Sequence, residues 1–250
     1  MGNVSSTTRI KKINTMNKLK LDIWSDFLCP FCFIGKRNLD KALVQFEHKD
    51  DLQLTWHSFQ LAPYLKYDPT IDAHQALANH KNMDYMQAKQ LNEQVAQMAK
   101  QAGISFNLDQ MKWANSYDAH RLLQYAKPTQ LVHSLEDRLF EAVFINGENI
   151  SDKDTLLNIA TELGLPQDEV KQLLHSDAYG EAINEDMQLG GQYGLRGVPF
   201  FVAFNSISFN GALPPETFLE ALHDIHSKWK ASTLEQANYT GENCDIEGNC

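Results

Sequence analysis

The 250-residue chain reads as an α/β fold in which a βαβ half and a ββα half are separated by a large all-helical insertion. Three observations predict this. Two segments near the start alternate apolar and polar residues with the period of a strand, and a helical pattern lies between them. From about Ile71 to Leu189 the spacing of apolar residues is helical almost throughout. Strand character then returns at Pro199, and a last helix follows.

The first strand is Leu19-Lys20-Leu21-Asp22-Ile23-Trp24-Ser25-Asp26. Directly after it stands Cys29-Pro30-Phe31-Cys32, followed by Ile34, Leu39, Leu43, Val44 and Phe46 at helical spacing. The first cysteine therefore sits where a strand hands over to a helix. Pro30 suits the first helical position, where a missing N–H costs nothing. Leu52 to Phe59 alternates again, and two strands joined by a helical crossover imply a parallel pair. Breaks near Gly103, Lys127-Pro128, Ile145-Asn146-Gly147 and Gly164-Leu165-Pro166 divide the insertion into several helices. Pro199 to Phe204 and Ile207 to Phe209 read as a hairpin about Asn205-Ser206. Pro214-Pro215-Glu216 opens a final helix that the pattern carries to about Trp229. The expected organisation is a disordered extension (1–17), a split α/β domain (18–65 and 193–230), a helical insertion (66–192) and a mobile, cysteine-bearing tail (231–250).

Composition narrows the function. Lys+Arg of 22 against Asp+Glu of 32 gives a net charge of -10, which argues against a nucleic-acid surface because that needs a basic footprint. No apolar run approaches the roughly 20 residues that span a bilayer. Met1 to Lys18 is polar and mildly basic without the apolar centre of a secretory signal, so the extension reads as disordered or as an upstream start before Met16. The expected location is the cytoplasm. Disulfide staples are uncommon there, and a chain of this length buries a core without them. The four cysteines, paired as Cys29 with Cys32 and Cys244 with Cys250, are thus free for chemistry.

A thiolate is the reactive form of cysteine. At a helix N-terminus Cys29 meets unpaired backbone N–H groups and the positive end of the helix dipole, both of which favour the anion. No histidine stands between the cysteines, so an extreme depression of the Cys29 pKa is not expected. Cys32, one turn further in, faces the same way but is shielded, as a resolving thiol should be. A second element is Gly194-Leu195-Arg196-Gly197-Val198-Pro199-Phe200-Phe201. Proline at a strand start often has a cis bond, and Val198 could then present its backbone to an extended peptide beside Cys29. Val198, Pro199 and Phe31 are the candidate substrate-binding residues, and no metal ligands are assigned.

Cys-Pro-Phe-Cys after a strand, Gly-Val-Pro-Phe-Phe-Val, and Phe209-Asn210-Gly211-Ala212-Leu213-Pro214-Pro215-Glu216 together resemble the DsbA-like oxidoreductases of the FrnE type. Asn115 to Leu122, Leu139 to Ala142 and Ile150-Ser151-Asp152 are similar to that family's helical insertion. The resemblance covers about Leu19 to Trp229. It implies a thioredoxin fold with a helical insertion and dithiol–disulfide exchange by Cys29, Cys32 and cis Pro199. It also implies protein or small-molecule thiols and disulfides as partners, glutathione as a candidate co-substrate, and no bound cofactor. The sequence departs from the family at Trp56-His57-Ser58-Phe59-Gln60-Leu61, where relatives commonly have an Arg-Pro-Phe-Glu-Leu type of sequence.

Other readings stay open at this point. Cys244 and Cys250 are either an auxiliary redox pair exchanging with Cys29 or incidental thiols on the tail. A glutathione-dependent isomerase or transferase of small aromatic substrates shares the insertion architecture, although such relatives typically have serine at the Cys29 position. A four-thiolate zinc protein is a third reading, with poor spacing in the second pair. His120 reads as a packed helix-face histidine and His223 and His226 as surface residues. Trp113, Tyr117 and Leu122 read as core, and so do Met83, Met86, Met98 and Met111, for which the alternative is a soft hydrophobic cleft suited to varied substrates. The oligomeric state is not legible.

Overall fold

A computed structural model describes residues 18–241, with side chains through Leu234. The 1–17 extension, Cys244 and Cys250 lie outside the described residues. Strands β1 (Leu19–Ser25) and β2 (Leu52–Ser58) run parallel, with Leu19 opposite Leu52 and Ser25 opposite Ser58. Helix α1 (Pro30–Gln45) makes the crossover between them. On the other edge of β1, β3 (Phe200–Ala203) pairs antiparallel, and β4 (Ile207–Asn210) pairs antiparallel with β3. The sheet order is β2-β1-β3-β4.

Between β2 and β3 the chain forms α2 (Ala73–Lys81), α3 (Tyr85–Gln101), α4 (Tyr117–Ala126), α5 (Val132–Glu141), α6 (Lys153–Glu162), α7 (Gln167–Leu174) and α8 (Gly180–Gln192). Aspartates supply the caps that start three of them. Asp72 accepts from Gln75 N–H, Asp152 from Thr155 N–H, and Asp84 forms a capping box with Gln87. Such caps are each worth about 1 kcal/mol. Where the sequence marks only a break at Ile145-Asn146-Gly147, α5 continues into a π-helical turn, Ala142–Asn146. Gly147 ends that turn at φ 64, where a side chain would collide with the Gln110 backbone.

Helix α9 follows β4 and runs from Pro215 to Gly241, beyond the end near Trp229 that the apolar spacing predicts. After Trp229 no proline or glycine occurs before Gly241. The backbone is therefore free to continue as helix after the apolar face stops. None of the described helices is long and apolar enough to cross a membrane.

The period-two pattern of β1 sorts its side chains onto two faces. Leu19, Leu21 and Ile23 join the main core with Phe33 and Leu39 of α1, Phe201 of β3 and Phe218 and Leu222 of α9. Trp24 points the other way, into a smaller cluster with Phe200, Val202, Leu189, Tyr193 and Leu195 under α8. The Trp24 ring stacks on His57 at 4.4 Å, and its Nε1–H donates to the Asp186 carbonyl at 2.6 Å. His226 of α9 is buried, contrary to its surface reading, because α9 packs that face against the end of α1; His223 is exposed as expected.

Gly190 lets α8 approach this close. A Cβ there would stand 2.5 Å from Leu195 Cδ2 and 2.8 Å from Trp24 Nε1. Gly190→Ala would gain up to ~1 kcal/mol of helix propensity. Overpacking costs ~1–3 kcal/mol, and the indole, held by a stack and a hydrogen bond, has no room to retreat. A net destabilisation of about 1 kcal/mol or more is expected as a lower urea midpoint. An unchanged midpoint would contradict the tight packing.

Candidate active site

The loop from β1 to α1 is organised by one buried carboxylate. Asp26, fully buried, accepts through Oδ1 from Leu28 N–H at 3.2 Å and through Oδ2 from Leu61 N–H at 2.6 Å. Its backbone carbonyl accepts from Cys29 N–H at 2.9 Å. These bonds tie the loop to the chain after β2 and set Cys29 at the N-cap of α1, with φ -90 and ψ 109. Pro30 occupies the first helical position, as its missing N–H allows. The first intrahelical bonds run from Cys32 N–H and Phe33 N–H to the Cys29 carbonyl, at 3.0 and 3.4 Å. His120, buried on α4, lies beneath this loop with Nε2 3.4 Å from Asp26 Oδ1 and its ring 4.8 Å from Phe27. Its Nδ1 has no hydrogen-bond partner among the described residues.

Both Cys29 and Cys32 are free thiols, and both are largely buried. They differ in what they face. Cys29 opens onto a cavity of about 440 Å³, whereas Cys32 is not part of its wall. Burial pushes the Cys32 thiol well above its ordinary pKa. The hydrogen bond and charge of Cys29 push it further, and contacts with Asp26 and Ser25 oppose them only in part. The deeper cysteine is thus held as a thiol.

The Val198–Pro199 peptide is cis. Cys29 Sγ–H donates to the Val198 carbonyl at 3.5 Å, so the cysteine and the proline loop are in direct contact. Pro199 is pressed onto α1 at Gly35, where a Cβ would lie 3.2 Å from Pro199 Cγ. On the far side the Pro199 carbonyl accepts from Gly211 N–H at 3.0 Å.

Cys29, Phe31 and Val198 therefore meet at one cavity, and Pro199 buttresses it from behind. The wall is mostly apolar, with Leu28, Leu91, Val95 and Phe106 among its members. Of the methionines read as core, Met83 and Met111 line this cavity, while Met86 and Met98 are exposed. Met83 and Met111 lie between elements of the insertion, and Met86 and Met98 lie on α3. Trp113 also lines the cavity, Leu122 is core, and Tyr117 is partly exposed. His80, Lys81 and Arg196 also stand in the wall, and among the described residues no aspartate or glutamate lines it. Nothing in the sequence pattern marks Lys81 or Arg196 as facing Cys29. Only the position of Asp26, at the end of a strand before a cysteine, offered a signal.

A parallel βαβ half bearing an N-cap cysteine, an antiparallel half opened by a cis proline, and a helical insertion between them define the thioredoxin fold in its DsbA-like form. Residues 20–223 match the model of the DSBA-like thioredoxin domain, and the chain belongs to that family. It is similar to the uncharacterized protein YwbO of Bacillus subtilis, 26% identical over 210 residues that make up 83% of this chain and 98% of the relative. Among solved structures it is similar to a probable DsbA oxidoreductase from Streptomyces coelicolor, with a TM-score of 0.78 and 28% identity over 84% of this chain and 90% of that one. The cytosolic disulfide reductase DsbM from Pseudomonas aeruginosa, solved also with GSH, shares the fold. In the GSH structure the TM-score is 0.56 and the identity 17%, over 88% of this chain and all of the other.

Proposed function

We propose that the chain is a cytoplasmic thiol–disulfide oxidoreductase whose redox centre is Cys29–Cys32. The observation that carries this reading is the asymmetry of the two thiols about the N-terminus of α1. Cys29 is at the cap and on the cavity, and Cys32 lies behind it with its proton held by burial. Thiol–disulfide exchange through a mixed disulfide needs an attacking thiol that a substrate can reach, which the cavity beside Cys29 provides, and a second thiol to resolve it.

The exchange runs in two displacements. Cys29 thiolate attacks a substrate disulfide, forming a Cys29–S–S–R bond as the substrate S–S bond breaks and a thiolate leaves to take a proton from solvent. That bond removes the negative charge beside Cys32, and with it one of the causes that held the Cys32 thiol protonated. Cys32 then gives its proton to the departing thiolate and attacks the Cys29 sulfur, closing the Cys29–Cys32 disulfide and releasing the second substrate half as a thiol. Two molecules of a thiol such as glutathione, acting as co-substrate, return the pair to the dithiol by the reverse steps: the first attacks the Cys29 sulfur and expels Cys32, and the second attacks that mixed disulfide, frees Cys29 and leaves as the thiol's own disulfide. Val198, Pro199 and Phe31 bind the substrate: the Val198 carbonyl beside Cys29 is an acceptor for an extended peptide N–H, and Phe31 offers an apolar surface. Partners are protein or small-molecule thiols and disulfides.

Insulin reduction with a dithiol as electron source tests the reading. The wild-type chain is expected to accelerate it, and Cys29→Ser to abolish the acceleration. A chain that binds glutathione but leaves insulin untouched would overturn the assignment. The difference between the thiols adds a second expectation. Brief alkylation of the reduced protein near neutral pH, followed by peptide mapping, should label Cys29 and spare Cys32. Equal labelling would contradict the asymmetry.

A further inference from the structure

At the other end of α1, about 24 Å along its 16 residues from the redox cysteines, a second group of chemically capable side chains converges. His48 and Asp51 lie in the turn between α1 and β2, and His226 comes from α9. One donor atom from each lies within 4.8 Å of the other two. We propose that His48, Asp51 and His226 form a zinc site that fastens α9 to the α1–β2 turn.

The ligand set is the first argument. Two imidazoles and one carboxylate suit zinc, whereas calcium and magnesium favour oxygen ligands. The second is that the three side chains already converge, so that only local rotations separate them from a ligating arrangement. His226 Nε2 stands 2.9 Å from Asp51 Oδ2, and the His226 ring lies 4.0 Å from the His48 ring in a near-parallel stack. The edge-on ring of Phe46 and the indole of Trp229 back His226, whose side chain is only 6% exposed. A ligand held this way loses little freedom on binding. The third argument is an outer partner. The Glu47 carboxylate lies 3.3 Å from His48 Nε2, the kind of carboxylate–imidazole contact that orients metal-binding histidines.

His48 and Asp51 are partly exposed, leaving an entry path and a fourth position for water. Binding exchanges the Asp51–His226 hydrogen bond for two metal bonds. The carboxylate turns a lone pair to the metal, the His48 ring swings out of its stack, and the His226 proton that Nε2 shares with Asp51 moves to Nδ1, so that each neutral imidazole ligates through its unprotonated nitrogen.

The test is a calorimetric zinc titration of the full-length chain with Cys29, Cys32, Cys244 and Cys250 replaced by serine, so that thiolates contribute no binding. One zinc per chain is expected, with a rise in melting temperature that magnesium at the same concentration does not produce. His48→Gln and Asp51→Asn, at partly exposed positions where folding is not at risk, should each weaken binding by about a hundredfold and remove the rise. His226→Ala should do the same, with circular dichroism reporting whether the buried position still folds. No saturable zinc binding by the parent, or equal affinity in the His48 and Asp51 variants, would overturn the proposal.

Discussion

A Cys32→Ser chain is expected to accumulate as a mixed disulfide through Cys29 and to lose turnover by about a hundredfold or more. The serine keeps the size and burial of the side chain but cannot attack the Cys29 sulfur. The first displacement, which uses the cysteine facing the cavity, proceeds as before. The second has no internal thiol and waits for one from solution, and Cys29 is 4% exposed. Incubating the variant with glutathione disulfide and mapping the adduct checks this. The adduct should lie on Cys29 and dissolve on adding a dithiol. Full turnover by Cys32→Ser without a trapped adduct is the behaviour of a glutathione-dependent isomerase.

The largest loss of stability is expected from Asp186→Ala. Asp186 of α8 accepts from Ser58 N–H at 2.8 Å, from Lys127 Nζ at 2.9 Å and from Gln124 Nε2, and it pairs with His57 Nδ1 at 2.5 Å. His57 Nε2 in turn lies 2.8 Å from Asp22 Oδ1. Removing the carboxylate leaves a buried imidazole and three donors without their shared acceptor. Breaking a buried charged network of this kind costs about 3–5 kcal/mol.

The same network sets a pH dependence. Burial alone would raise the Asp186 pKa, but His57, Lys127 and the Ser58 N–H hold it down to about 2. Its contribution is therefore complete above the unfolded carboxylate pKa of ~3.9 and is lost as pH falls toward that folded value. Burial alone would lower the His57 pKa, but its bonds to Asp186 and Asp22 raise it. That contribution is complete below the unfolded imidazole pKa of ~6.5 and is lost as pH rises through the folded one. The stability gap between wild type and Asp186→Asn should thus be widest between about pH 4 and pH 6.5 and narrow on both sides. Urea unfolding across that range measures it, and a gap independent of pH would contradict the ion pair.

These two predictions rest on features of different legibility. The cysteine-bearing loop was legible because its determinants are local: a period-two strand, a proline that suits the first helical turn, and two cysteines one turn apart. The cis proline was legible from its place before a strand. The network around Asp186 left no trace, because His57 and Asp186 are 129 positions apart and meet only once α8 has packed on the sheet. Asp26 and His120, 94 positions apart, are hidden for the same reason. So is His226, which lies opposite Asp51 only because α9 packs beside α1. The π-helical turn at Ala142–Asn146 also escaped, since one wider turn shifts the apolar spacing too little to be read. Pattern reports what each segment buries, and long-range polar pairing depends on how the segments are then assembled.

A redox titration of the Cys29–Cys32 pair tests the proposed dithiol centre most directly. The protein would be equilibrated across glutathione or dithiothreitol buffers, quenched, and its cysteine peptides quantified. One reversible two-electron transition is expected, about 30 mV per decade, in which the peptide carrying Cys29 and Cys32 loses two hydrogens as the internal disulfide forms. Both cysteines remaining thiols across the whole range, or an oxidation that never joins Cys29 to Cys32, would contradict it.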